Sequence, residues 1–155
     1  MHPDHEKYIH FQECLTSLNR AWSIIGKILD SSERNELTRA AYELAIIEYC
    51  KPYKNSLGWG KKGEKLEAPS LSATESALHN RLIRLRDKEL AQSDLPEKDR
   101  KLYLGSSADR RIPLIIKNTG PDLPDPKSVK DLIERILDTL YDQLSEIEQK
   151  AYSAL

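Results

Sequence analysis

The segment from Val129 to Ile147 constrains the fold most, because Val129, Ile133, Ile136, Leu140, Leu144 and Ile147 recur at steps of three and four residues. That spacing makes one face of an α-helix apolar, and Leu132 and Leu137 widen the stripe. A helix this amphipathic needs other elements to cover its stripe, so the rest of the chain must supply them. Asp125–Pro126 marks its start, with an N-cap acceptor followed by a proline whose missing N–H costs nothing in the first turn.

Three further segments answer that need. Tyr8, Phe11, Leu15, Leu18, Trp22, Ile25 and Leu29 form a long helical stripe with Asp4 as its N-cap. After Asp30-Ser31-Ser32, a second stripe of Leu37, Ala40, Ala41, Leu44, Ala45 and Ile47 runs until Pro52 stops it. Ser72-x-x-Glu75 has the form of a capping box and opens a third helix through LHNRLIRLRDKELAQSD, Leu78 to Asp94, toward Pro96. KLYL and IPLIIKN, separated by GSSADRR, read as a hairpin over 101–118. The chain is therefore expected to be all-α, a single domain over 1–155 built as a four- to five-helix up-and-down bundle, with a short β-hairpin insertion before the last helix. Its 155 residues are enough for one core of ordinary size.

Composition excludes more than it assigns. A net charge of −1 argues against indiscriminate nucleic-acid binding and leaves room for a local basic patch. No apolar run approaches the roughly 18 residues of a membrane span, and MHPDHEKY has no apolar signal region, so a cytoplasmic protein is expected. Cys14 and Cys50 stand far apart, outside any metal-ligand spacing, and read as buried thiols. No metal or cofactor is expected. The spacing of GWGKKGEK is that of neither a Walker loop nor a dinucleotide fingerprint. A Gly-x-Ser-x-Gly elbow and a His-Glu-x-x-His zinc helix are also absent. The lysine- and glycine-rich stretch over 52–70 reads as a loop, either simply solvated or a contact surface formed by Lys54, Trp59, Lys61, Lys62 and Lys65.

The third helix carries the anomaly. Drawn at about 100° per residue, it places Leu78, Leu82 and Leu85 at one edge of its buried sector and Ile83 and Leu90 at the other, with His79 and Arg86 between them. A guanidinium there needs a carboxylate, a ligand anion, an interface or an escape to the bundle edge; Glu48 and Asp94 are the acids within reach. His79 reads as an interior histidine hydrogen-bonded to a neighbouring helix, or as a proton-exchanging group.

The order Leu-His-x-x-Leu-Ile-x-Leu-Arg-Asp-Lys-x-Leu-Ala-x-Ser-Asp resembles the HEPN superfamily, whose signature is Arg, a polar residue and, a few residues on, His. Arg86 and Asp87 match the first two positions, Lys88, Leu90, Ala91, Ser93 and Asp94 match the flanks, and Gln92 stands where the His belongs. The resemblance implies a small helical domain. Many such domains are metal-independent ribonucleases of toxin–antitoxin, abortive-infection and CRISPR systems, with motif Arg and His meeting at a homodimer cleft. Others are non-catalytic and bind RNA, nucleotides or protein partners, including nucleotidyltransferase antitoxins. On this resemblance Arg86, Asp87 and Gln92 are the catalytic positions, with His79 of the same stripe as a candidate substitute for the missing base; Lys61, Lys62 and Trp59 of the loop, with Asp94, are the binding candidates.

Metal-free cleavage through the 2′-hydroxyl needs proton exchange near neutral pH and a cation for the developing phosphorane charge. Arg86 supplies the cation, whereas the Gln92 amide does not titrate. Arg86 and Gln92 also point about 120° apart on an ideal helix, and His79 lies about 10 Å before Arg86 on the same stripe. The expectation is a binding or regulatory module of weak or no activity, dimerising through the third and fourth helices, with RNA, a nucleotide or an antitoxin-type partner near Arg86. An endoribonuclease toxin and a plain helical scaffold are the alternatives.

Overall fold

A computed structural model describes the backbone of residues 2–54, 65–90, 100–107, 110–117 and 122–153. Its helices are α1 (Pro3–Asp30), α2 (Glu36–Cys50), α3 (Ala73–Leu85) and α4 (Pro126–Ser153). Backbone strands β1 (Arg100–Ser107) and β2 (Arg110–Lys117) pair antiparallel, Arg100 opposite Lys117 and Ser107 opposite Arg110.

Both α1 and α4 have 28 residues, hence are about 42 Å long, and they run antiparallel along their length. His5 meets the Ala151 carbonyl at one end, and at the other Trp22 Nε1 donates to Glu134 (2.8 Å) while Gly26 faces Lys130. Between them α4 buries Val129, Leu132, Ile133, Ile136, Leu137 and Leu140 against the Phe11, Leu15, Leu18, Ile25 and Ile28 row of α1.

The turn into α2 is fixed at both helix ends. Arg34 donates to the carbonyls of Ile28, Ser31 and Glu33, placing a cation at the negative C-terminus of α1. Asn35 and Thr38 then cap α2 reciprocally. Tyr42 Oη donates to the Pro124 carbonyl (2.8 Å) and Arg81 binds Asp122, so α2 and α3 both grip the segment that leads into α4.

Several local expectations need correction. The N-cap of α1 is His2, whose Nδ1 accepts from the Asp4 N–H, and Asp4 itself sits in the first turn. In α2 the inward face is Tyr42, Ala45, Ile46 and Tyr49, leaving Leu37 (76 % exposed), Ala40 and Leu44 toward solvent. Two tyrosines and an isoleucine bury more apolar surface than Leu37, Ala40 and Leu44 would, which decides which face turns inward, while Ala45 of the expected stripe stays buried. Trp22 is also exposed, held by Glu134 and by Lys130 over its ring. Pro52 and Tyr53 are buried in a 3-10 turn (Lys51–Tyr53) that continues from α2, so the loop begins later than Pro52.

The capping box of α3 is present in both directions between Ser72 and Glu75. Ser72→Ala removes the side-chain acceptor for the Glu75 N–H and is expected to lower stability by about 1 kcal/mol, read as a shift in the urea midpoint with unchanged slope.

Candidate functional site

Two turns of unusual geometry meet where α2 ends. The 3-10 turn Lys51–Tyr53 carries Pro52 and Tyr53 inward and leaves Lys51 exposed, with Lys54 following. From the other side, α3 stops at Leu85 and the chain continues as a single π-helical turn, Arg86–Leu90. Such turns are rare and frequent at functional sites. The Arg86 N–H is shared between the Leu82 and Ile83 carbonyls at the junction.

Side chains from these turns form two clusters, each with one carboxylate between two cations. Asp87 accepts from Lys54 at Oδ2 and from Arg86 at Oδ1 (3.1 Å). The Lys54 hydrogen bond, aided by Arg86, holds the Asp87 carboxyl below the usual carboxylate range. Glu48, buried at the end of α2, accepts from Lys51 (2.6 Å) and pairs with Arg20 of α1 (3.4 Å). Among the described residues Arg20, Lys51, Lys54 and Arg86 thus share two carboxylates, which leaves these six side chains with surplus positive charge. Asp87→Asn removes one of those charges, so affinity for any polyanion bound there is expected to rise severalfold, measured by fluorescence anisotropy.

Behind the cations lies an aromatic and thiol layer. Tyr49 Oη and His79 Nδ1 are 2.6 Å apart, and the His79 ring stands edge-on to Tyr53 with centroids 4.7 Å apart. Burial raises the Tyr49 pKa, so the phenol keeps its proton and faces Nδ1 as a neutral hydroxyl, with the tautomer of His79 setting which of the two donates. Burial also lowers the His79 pKa, which keeps the imidazole neutral. Tyr53 Oη is buried without a hydrogen-bond partner of good geometry among the described residues, although the Tyr49 phenol is close enough to perturb it. Cys50 Sγ donates to the Leu82 carbonyl (3.5 Å) and is in electrostatic reach of Arg86, Asp87 and Lys54.

Burial pushes the thiol pKa up to about 12 for Cys50 and about 11 for Cys14. Both groups therefore stay as unreactive thiols at neutral pH. A thiol reagent added to the native chain at pH 7.5 is expected to modify neither cysteine until denaturant is added, as mass spectrometry would show.

Of the two acids expected near Arg86, Glu48 is corrected by this geometry. Glu48 is committed to Arg20 and Lys51, and the Arg86 side chain is one-third exposed and paired with its own neighbour Asp87. His79 bonds a neighbouring helix through Tyr49 and makes no direct hydrogen bond with Arg86. The π-helical turn also removes the basis for projecting Gln92 at 100° per residue from Arg86, since its turn is wider than 3.6 residues. Gln92, Asp94, Trp59, Lys61 and Lys62 lie outside the described residues. Sequence reasoning missed Tyr49, Tyr53, Lys51 and Arg20; the Tyr49-x-x-x-Tyr53 spacing across Pro52 was the available signal for the first two.

Among the described residues no cluster of His, Cys, Asp or Glu is placed to hold a metal ion, and no helix is long and apolar enough to cross a membrane. No protein-family model, curated protein or solved structure matches the chain. The chemistry of the site itself therefore carries the functional reading.

Proposed function

We propose that this chain is a HEPN-like helical bundle with a hairpin insertion, acting as an RNA- or nucleotide-binding regulatory module with little or no catalytic activity. The single observation that carries the reading is the sharing of Asp87 by Lys54 and Arg86 on a π-helical turn, next to the Arg20–Glu48–Lys51 cluster. Cations whose carboxylate partner is shared attract a phosphate more strongly than neutralised pairs do. Arg86 presents a fork of donors suited to a phosphate's two oxygens, and Lys54 adds a point charge beside it. The reading extends to a homodimer formed through α3 and α4 and to an antitoxin-type or nucleotidyltransferase partner at the same end, in a cytoplasmic setting.

A second reading, a metal-independent endoribonuclease toxin, draws on the neutral, half-buried imidazole of His79 two turns before Arg86. One experiment separates the two. RNA is incubated in chelator with this chain, with Gln92→His and with the double variant carrying Arg86→Ala as well, while binding is followed in parallel and light scattering gives the mass. The module reading expects binding without cleavage by the natural sequence, and cleavage, if gained with Gln92→His, lost again with Arg86→Ala. Cleavage by the natural sequence that disappears with His79→Ala establishes the ribonuclease instead. A monomer that neither binds nor cuts RNA contradicts both.

A further inference from the structure

The outer face of α2 keeps an apolar stripe open to solvent. Leu37 is 76 % and Leu44 41 % exposed, Ala40 is exposed, and Ala41 and Ile47 are half-buried beside them. From Leu37 to Ile47 the stripe covers about 15 Å, nearly three helical turns. Exposed apolar side chains scattered singly are ordinary. A continuous stripe on a helix that already buries its opposite face marks a surface that meets another chain.

The charges around the stripe say which chain. Glu33 and Glu36 are exposed at its N-terminal end, where Arg34 is turned onto the carbonyls of Ile28, Ser31 and Glu33. Lys51 and Arg20 are exposed at its C-terminal end and share the buried carboxylate of Glu48. Arg39 and Glu43 pair along the flank. Among the described residues one end is thus acidic and the other basic, and such a stripe is complementary to itself once turned end for end. We propose that the outer face of α2 is a self-association surface, on which a second copy of this chain packs its own α2 antiparallel about a two-fold axis at the level of Tyr42. In that register Leu37 lies against the partner's Ile47, and Leu44 enters the space that the partner's Ala40 and the partner's Ala41 leave open. Glu33 and Glu36 come beside the partner's Lys51, and the same contacts repeat on the other side of the axis. An anionic membrane surface fits less well, since Glu36 and Glu43 border the stripe. The surface lies on a different helix from the α3 and α4 contact of the proposed function and does not depend on it.

Three helical turns bury less than the roughly 800 Å² per partner of a standard stable interface, so the association is weak, with a Kd of about 100 µM. Sedimentation equilibrium of the full chain from about 10 to about 500 µM is expected to show the mass doubling, whether the associating unit is one chain or a dimer through α3 and α4. Leu44→Glu is expected to weaken the association at least about tenfold. Its Tm, read at low-micromolar concentration where the face is open, is expected to stay within about 2 °C of the natural chain's. Glu36→Lys and Lys51→Glu are each expected to weaken the association about fivefold, and mixing the two variants restores it, because a mixed pair sets lysine against glutamate at both ends. A doubling that Leu44→Glu leaves unchanged places the contact elsewhere and overturns the inference without touching a dimer through α3 and α4. Mixed variants that associate no better than either variant alone overturn it as well. A mass that stays constant across the range leaves the face to a different partner and also overturns it.

Discussion

Ile136→Ala is expected to lower the stability of this chain by about 3 kcal/mol and its Tm by about 9 °C, followed by circular dichroism. Ile136 is fully buried near the middle of α4, and truncating it leaves a cavity in the core that α1 and α4 share. Two rigid, antiparallel helices of this length cannot close around the void by a local shift, so the loss includes a cavity contribution beyond the transfer of the missing carbons. Leu37→Ala provides the contrast. Leu37 is 76 % exposed on the outer face of α2, and its truncation is expected to change stability by less than about 0.5 kcal/mol. A large loss at Leu37 would put Leu37, Ala40 and Leu44 back on the buried face of α2.

That contrast shows how far the sequence could be read. The α4 stripe was legible because Val129, Ile133, Ile136 and Leu140 offer one apolar face with no rival, and all four are buried. The start of α3 was legible because Ser72 and Glu75 satisfy each other's backbone within four residues. In α2 two faces were apolar, and periodicity could not weigh Leu37, Ala40 and Leu44 against Tyr42, Ile46 and Tyr49; the partner surface on α1 decided. The site was legible in part for a related reason. Arg86 and Asp87 stood out on a leucine-rich face, but their companions come from elsewhere: Lys54 is 33 residues away from Asp87, and Tyr49 is 30 from His79. No local pattern encodes such pairings. The π-helical turn has no sequence signature either, so 100° per residue gives no basis for projecting residues beyond it.

Arg86→Ala is expected to cost at least about tenfold in affinity for single-stranded RNA at low salt while leaving the fold nearly unchanged. The two effects separate because of where Arg86 lies. Its side chain is one-third exposed and its one ion pair among the described residues is to an equally exposed neighbour, a type of contact that contributes little to stability. Its loss leaves Lys54 alone with Asp87, a neutral pair with little attraction for a phosphate. Lys54→Ala is expected to act in the same direction and more weakly, since a flexible ammonium binds phosphate as a point charge without the arginine fork. Equal thermal stability beside unequal RNA affinity in these variants separates a binding surface from a folding contact.

The central claim is that the Lys54–Asp87–Arg86 group contacts RNA phosphates, and the salt dependence of binding tests it most directly. In a plot of log affinity against log salt, the natural chain is expected to show a steep negative slope. Arg86→Ala is expected to make that slope shallower by about 0.7, the change that accompanies neutralising one phosphate fewer on a single strand. The same slope in both proteins, or RNA binding that does not weaken with salt, would contradict the account.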